Sequence, residues 1–153
     1  LVSEGNIHID GGTTVIQGPY DNSKVVATCL GDFIISNGLF VGSGPNAGTL
    51  IKNPGSTSTQ NSLKISSSSL GSNLINIQDA GGNSLVTFKP IKSAYYLQFS
   101  SPALKTGNSF SVFTGGSYSG GTTVNGYSTG GSYNAGTRKS TFSVSEKVTL
   151  VNF

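Results

Sequence analysis

The segments Ile7-His8-Ile9-Asp10-Gly11-Gly12-Thr13-Thr14-Val15-Ile16-Gln17-Gly18 and Phe33-Ile34-Ile35-Ser36-Asn37-Gly38-Leu39-Phe40-Val41-Gly42-Ser43-Gly44 decide how this chain is read. Ile7 and Phe33, Ile9 and Ile35, Gly12 and Gly38, Val15 and Val41, and Gly18 and Gly44 are each 26 residues apart, so one register relates the two segments. A fixed period of this size marks a solenoid. Each period holds a strand, a Gly-Gly or Asn-Gly corner and a second strand, and residues 25–30 supply a third strand before the next lap. Asn-Gly between apolar runs is also the strongest hairpin signal, because both central residues must accept positive φ. Consecutive hairpins of a sandwich are therefore the competing reading. In a hairpin, however, the two halves of each unit pair with each other, and nothing fixes the start of the next unit. A coil needs that spacing. It predicts Ile7 beneath Phe33 and Ile9 beneath Ile35, at the inter-strand distance of roughly 4.8 Å.

Beyond Gly48 the period fails, since the same step past Ile35 arrives at Asn61. Residues 52–59, Lys-Asn-Pro-Gly-Ser-Thr-Ser-Thr, read as a connecting loop kept in solvent by its hydroxyls. Period-two alternation then marks strands near Leu63, Leu74–Gln78, Leu85–Phe88, Tyr96–Phe99, Phe110–Phe113, Thr141–Val144 and Val148–Val151. Asp79-Ala80-Gly81-Gly82-Asn83 predicts a hairpin turn between the second and third of these. No window has the spacing of an amphipathic helix. The expected fold is all-β: a short right-handed parallel β-helix over residues 1–48, followed by an antiparallel, sandwich-like β tail over residues 49–153.

Only 10% of the 153 residues are charged, and the nine basic ones are scattered, so the net charge of +3 forms no nucleic-acid patch. No apolar run approaches a membrane span. The N-terminus lacks the pattern of a signal peptide, so an exported protein would already have lost its leader. The surface chemistry is Gly, Ser, Thr and Asn, as in secreted and cell-surface β proteins. Cys29 is the only cysteine. It reads as a small buried hydrophobe, with an intermolecular bridge as the lesser alternative.

Gly115-Gly116-Ser117-Tyr118-Ser119-Gly120-Gly121-Thr122 recurs 15 residues later as Gly130-Gly131-Ser132-Tyr133-Asn134-Ala135-Gly136-Thr137, with Tyr127 between the copies. Tyr118, Tyr127 and Tyr133 are the candidate carbohydrate-binding residues. Flat rings meet the C–H face of a pyranose, and neighbouring amides and hydroxyls meet its OH groups. The alternative is that these tyrosines simply cover backbone at a sheet edge. Catalysis is not expected. Asp10 and Asp32 form the one candidate carboxylate pair, at corners of successive turns, and no nucleophile motif is present. His8 has no second His or Cys to share a metal and reads as a solvent-facing strand residue. No metal site and no cofactor are expected.

The runs at residues 11–19 and 31–44, residues 79–88, Ser101-Pro102-Ala103-Leu104-Lys105 and the Gly-Gly-Ser-Tyr copies together resemble the C-terminal region of bacterial secreted carbohydrate-binding domain-containing proteins. That resemblance spans nearly the whole chain. It implies a right-handed parallel β-helix ending in a β tail, exported, that binds a polysaccharide or cell-wall glycan without catalysis. The acidic segment of such proteins is reduced here to Asp32, within Ala27-Thr28-Cys29-Leu30-Gly31-Asp32, so no calcium site carries over. Two recognisable turns leave an open β-helix end behind Leu1-Val2-Ser3. Upstream rungs or another copy of the chain would cover it, and the second case is self-assembly into a head-to-tail filament.

Overall fold

The computed structural model describes residues 1–18, 24–45 and 51–153. The chain is all-β, and its described residues contain no helix. Strand β2 (Ile7–Gln17) lies parallel to β4 (Phe33–Gly44), with Ile7 opposite Phe33, Ile9 opposite Ile35 and Val15 opposite Val41. The short strands β1 (Val2–Ser3) and β3 (Thr28–Cys29) pair in parallel at the same offset, Val2 opposite Thr28. Two successive laps of chain therefore lie side by side in the register the repeat predicts. Consecutive hairpins are ruled out for this segment.

The first halves of the stacked strands, residues 7–10 and 33–37, are held at both ends. Gly38 has φ +90°, and a Cβ there would lie 2.6 Å from the Gly11 carbonyl carbon, so the Asn-Gly corner rests directly on the Gly-Gly corner. At the other end the Asn6 side-chain oxygen accepts the Asp32 N–H at 2.8 Å. Between them Ile7, Ile9, Phe33 and Ile35 pack with Val26, Ala27, Cys29, Phe40, Ile51 and Tyr96. Each such side chain contributes about 1.5–3 kcal/mol on burial. Cys29 is one of these core residues, as expected of it.

Residues 51–60 correct the reading of a solvated loop. They run along the edge of β4 that faces away from β2. Lys52 donates its N–H to the Ala27 carbonyl at 2.8 Å, Gly55 to Phe33 at 2.7 Å and Gln60 to Ile35 at 3.2 Å. The Ser58 hydroxyl, 3% exposed, accepts the Ile35 N–H at 3.1 Å. The segment is therefore bonded along its length to the preceding chain, and hydrophobic counting misses it because the buried Ser58 and Gln60 meet the backbone through polar side chains. The boundary expected after residue 48 falls outside the described residues.

The remaining strands are β5 (Ser62–Gly71), β6 (Ile75–Asp79), β7 (Ser84–Phe88), β8 (Ala94–Ser100), β9 (Ser109–Thr114), β10 (Ser117–Ser119), β11 (Thr122–Val124), β12 (Tyr127–Thr129), β13 (Ser132–Asn134), β14 (Thr137–Ser143) and β15 (Val148–Asn152). One sheet has the order β15-β5-β8-β4-β2, and a six-stranded sheet has the order β11-β12-β7-β6-β9-β14. The predicted β6–β7 hairpin forms, with the Asp79 carboxylate accepting the N–H groups of Gly81 and Asn83 across its turn. Antiparallel pairing of β4 with β8 joins the repeat and the tail in one sheet. The tail is not wholly antiparallel, because β15 runs parallel to β5. Val41, Leu63, Ile65, Leu97 and Phe99 of the first sheet share a core with Ile75, Ile77, Phe88 and Val112 of the second.

Two buried side chains make this core testable. Replacing Ser58 by alanine strands the buried Ile35 N–H and costs about 1–3 kcal/mol, read as a lower urea midpoint, whereas alanine at the exposed Ser56 leaves it unchanged. Tyr96 is fully buried, donates to the Gln98 side-chain oxygen at 3.2 Å, and has its phenol pushed far above the ordinary range by burial. An unfolded tyrosine ionises near pH 10 while this one keeps its proton. Its contribution is therefore whole below about pH 10 and is lost as pH rises from there toward the folded value. Tyr96→Phe is expected to flatten the fall in stability measured between about pH 9 and about pH 11.

Candidate functional site

The two Gly-Gly-Ser-Tyr copies are the two sides of one long hairpin. Its tip is Asn125-Gly126, with φ of 50° and 81°, the paired positive values of a type I′ turn. From the tip downward Thr122 faces Thr129, Tyr118 faces Tyr133 and Thr114 faces Thr137, in unbroken register. The ribbon bends sharply twice, at Gly115-Gly116 with Ala135-Gly136 and at Gly120-Gly121 with Gly130-Gly131. A Cβ would meet backbone at 2.2 Å on Gly116, 2.3 Å on Gly121, 2.4 Å on Gly131 and 2.2 Å on Gly136. Both strands need glycine at each bend, and this is why the motif occurs twice.

The bends carry the ribbon across the sheet. Its base strand β9 pairs with β6, while its far strand β12 pairs with β7. Strands β10 and β13 pair only with each other, as a strap over the β6–β7 hairpin. Asn76 alternates with the core residues Ile75 and Ile77 and so points away from the core, yet it is fully buried. Its side-chain amide bonds Ser84, the Val86 carbonyl and Thr87.

All three predicted tyrosines line one open cleft of about 240 Å³ beside this strap, together with Ser84, Leu85, Thr87 and Thr129. No lining residue carries a carboxylate, ammonium or guanidinium group. The Tyr118 hydroxyl accepts the Gly131 N–H at 2.6 Å. The Tyr133 hydroxyl accepts the Gly136 N–H and donates to the Gly115 carbonyl, both at 2.9 Å, and its ring is T-shaped to that of Phe113, with centroids 6.5 Å apart. These phenols tie the bends, which leaves ring faces and the exposed Ser84 and Thr129 to meet a ligand. Tyr127, opposite Phe88, is half-buried, and burial first and the nearby Tyr118 second raise its pKa. Sequence reasoning found the rings but missed Ser84, Thr87 and Thr129. They belong to another hairpin or to an ordinary strand, and nothing in their local pattern sets them apart.

The other candidates do not converge. Asp32 lies level with Asn6 and Asp10 opposite Asn37, at the two ends of the first half of the stacked strands. They are four residues, roughly 13 Å, apart along it. The candidate closeness of Asp10 and Asp32 is thereby corrected. His8 is exposed on β2, as expected, and no three His, Cys, Asp or Glu side chains gather among the described residues. No family model, curated protein or solved structure matches this chain. Tyr133→Phe removes the hydroxyl that bridges the lower bend, and is expected to lower the unfolding free energy by about 1 kcal/mol while speeding amide exchange at Gly136.

Proposed function

We propose that the chain is a non-catalytic, secreted or cell-surface module that binds neutral polysaccharide in the cleft formed by Tyr118, Tyr127 and Tyr133. The observation that carries this reading is that all three tyrosines line one open, uncharged cleft edged by hydroxyls. Aromatic faces cover the C–H face of a sugar at little entropic cost, and hydroxyls and backbone amides exchange hydrogen bonds with its OH groups. An acidic glycan would call for a cation in the cleft, which favours uncharged chains such as glucans, xylans and mannans.

The carrier for this site is proposed to be a short right-handed parallel β-helix. Its laps are the parallel β1–β3 and β2–β4 pairs and the segment 51–60. The resemblance to secreted bacterial carbohydrate-binding proteins and the low-charge Ser/Thr/Gly surface agree with that assignment.

Affinity electrophoresis through gels containing laminarin, xylan, galactomannan or hydroxyethyl cellulose tests the reading. At least one of these neutral polymers should retard the protein, and alginate should not. Tyr118→Ala should weaken retardation about tenfold, equivalent to about 1.4 kcal/mol. Tyr118→Phe, which keeps the ring, should retain it. Mobility unaffected by every neutral polymer would overturn the proposal.

A further inference from the structure

The edges of the five-stranded sheet carry a second, independent feature. Strands β2, β4, β5 and β15 run one way and β8 the other. Both edge strands therefore point in the same direction, and each is bonded to its inner neighbour in parallel. Among the described residues neither β2 nor β15 has a strand on its outer side.

Backbone polarity at the two edges is complementary. The Gly18 N–H bonds the Ser43 carbonyl, so alternate residues of β2 turn toward β4 and the N–H and C=O groups of Thr13, Val15 and Gln17 face outward. The Ser62 N–H bonds the Lys147 carbonyl and the Phe153 N–H that of Ser66, so Val148, Leu150 and Asn152 face outward from β15. One lateral row of the sheet reads Val15, Val41, Phe99, Leu63, Thr149. A neighbouring copy placed by translation along that row puts its Val15 opposite Thr149. There the Val15 N–H meets the Val148 carbonyl and the Val15 carbonyl meets the Leu150 N–H, the bonding of a parallel ladder.

The side chains agree with the backbone. In the next row Ile16, half-buried against the lap core, comes beside Leu150, which is 64% exposed. Neither Thr13-Thr14-Val15-Ile16-Gln17 nor Val148-Thr149-Leu150-Val151-Asn152 contains a charge or a proline. The edge strand β14 of the other sheet differs, with Arg138 and Lys139 at a register break, the usual protection of an edge against pairing. We infer that copies of this chain join edge to edge, β15 of one against β2 of the next in parallel. The contact is between unlike surfaces and does not close, so it propagates as a fibre whose twist follows that of the sheet.

Sedimentation velocity and negative-stain microscopy of the intact chain over a wide concentration range test this. Wild type should give growing oligomers and uniform fibres. Leu150→Lys blocks the β15 edge at an exposed position, and Thr13→Lys blocks the β2 edge by setting a second ammonium beside the neighbour's Lys147. Each variant alone should sediment as a single chain, with a far-UV spectrum and unfolding midpoint like those of wild type. Mixed together they should form a one-to-one dimer, since one unmodified β15 edge then meets one unmodified β2 edge. The inference fails if wild type stays monomeric at its solubility limit, if either variant assembles alone, or if the mixture remains monomeric.

Discussion

The structure depends on a contact between backbones: the Asn37-Gly38 corner seated on Gly11-Gly12. Any side chain at Gly38 would enter the carbonyl groups below it, at 2.6–2.8 Å. Only glycine gives that approach, and its φ of +90° is strained for other residues. With this corner fixed, and Asn6 bonded to the Asp32 N–H at the other end, the strand between is held parallel in a single register. Phe33 and Ile35 then cover Ile7 and Ile9. Strand β4 in turn presents its second edge, receiving residues 51–60 along its first half and β8 along its second. A slip of one residue would turn the isoleucines outward and remove the core beneath the stacked strands.

The strap applies the same device to another end. Paired glycines let a two-stranded ribbon fold twice, and the tyrosine hydroxyls take up backbone groups that the bends leave without ladder partners. Local structure and site are therefore coupled. The residues that stiffen the strap are those whose rings edge the cleft, and the cleft exists because β12 separates from β7 after only two paired residues. The buried Asn76 amide holds Ser84 and Thr87, two of the residues that line the cleft.

Apolar periodicity reported the laps at Ile7–Gln17 and Phe33–Gly44 because stacked interior positions demand apolar side chains at a constant interval. It did not report that residues 51–60 bond along the edge of β4. Ser58 and Gln60 occupy buried positions by bonding the Ile35 backbone and the Gly38 carbonyl, and a serine that does so looks like any loop serine. Alternation likewise located β5 and β15 but not their mutual direction, since a strand's pattern is the same whichever way its partner runs. Asp10 and Asp32 seemed close because each follows or precedes a corner-like turn, and lap geometry places them at opposite ends of the first half of the stacked strands.

Sequence by itself determined the strand class, the 26-residue parallel register and the hairpin at residues 79–83. Each is written in a local period or in a turn chemistry that only certain residues satisfy. Tertiary structure alone decided that the tyrosine repeat pairs with itself, that its ribbon crosses to β7 and that hydroxyls from another hairpin complete the cleft. Those outcomes depend on which free edges meet after collapse. Free edges differ in backbone polarity and direction, properties that every residue shares and no residue type records.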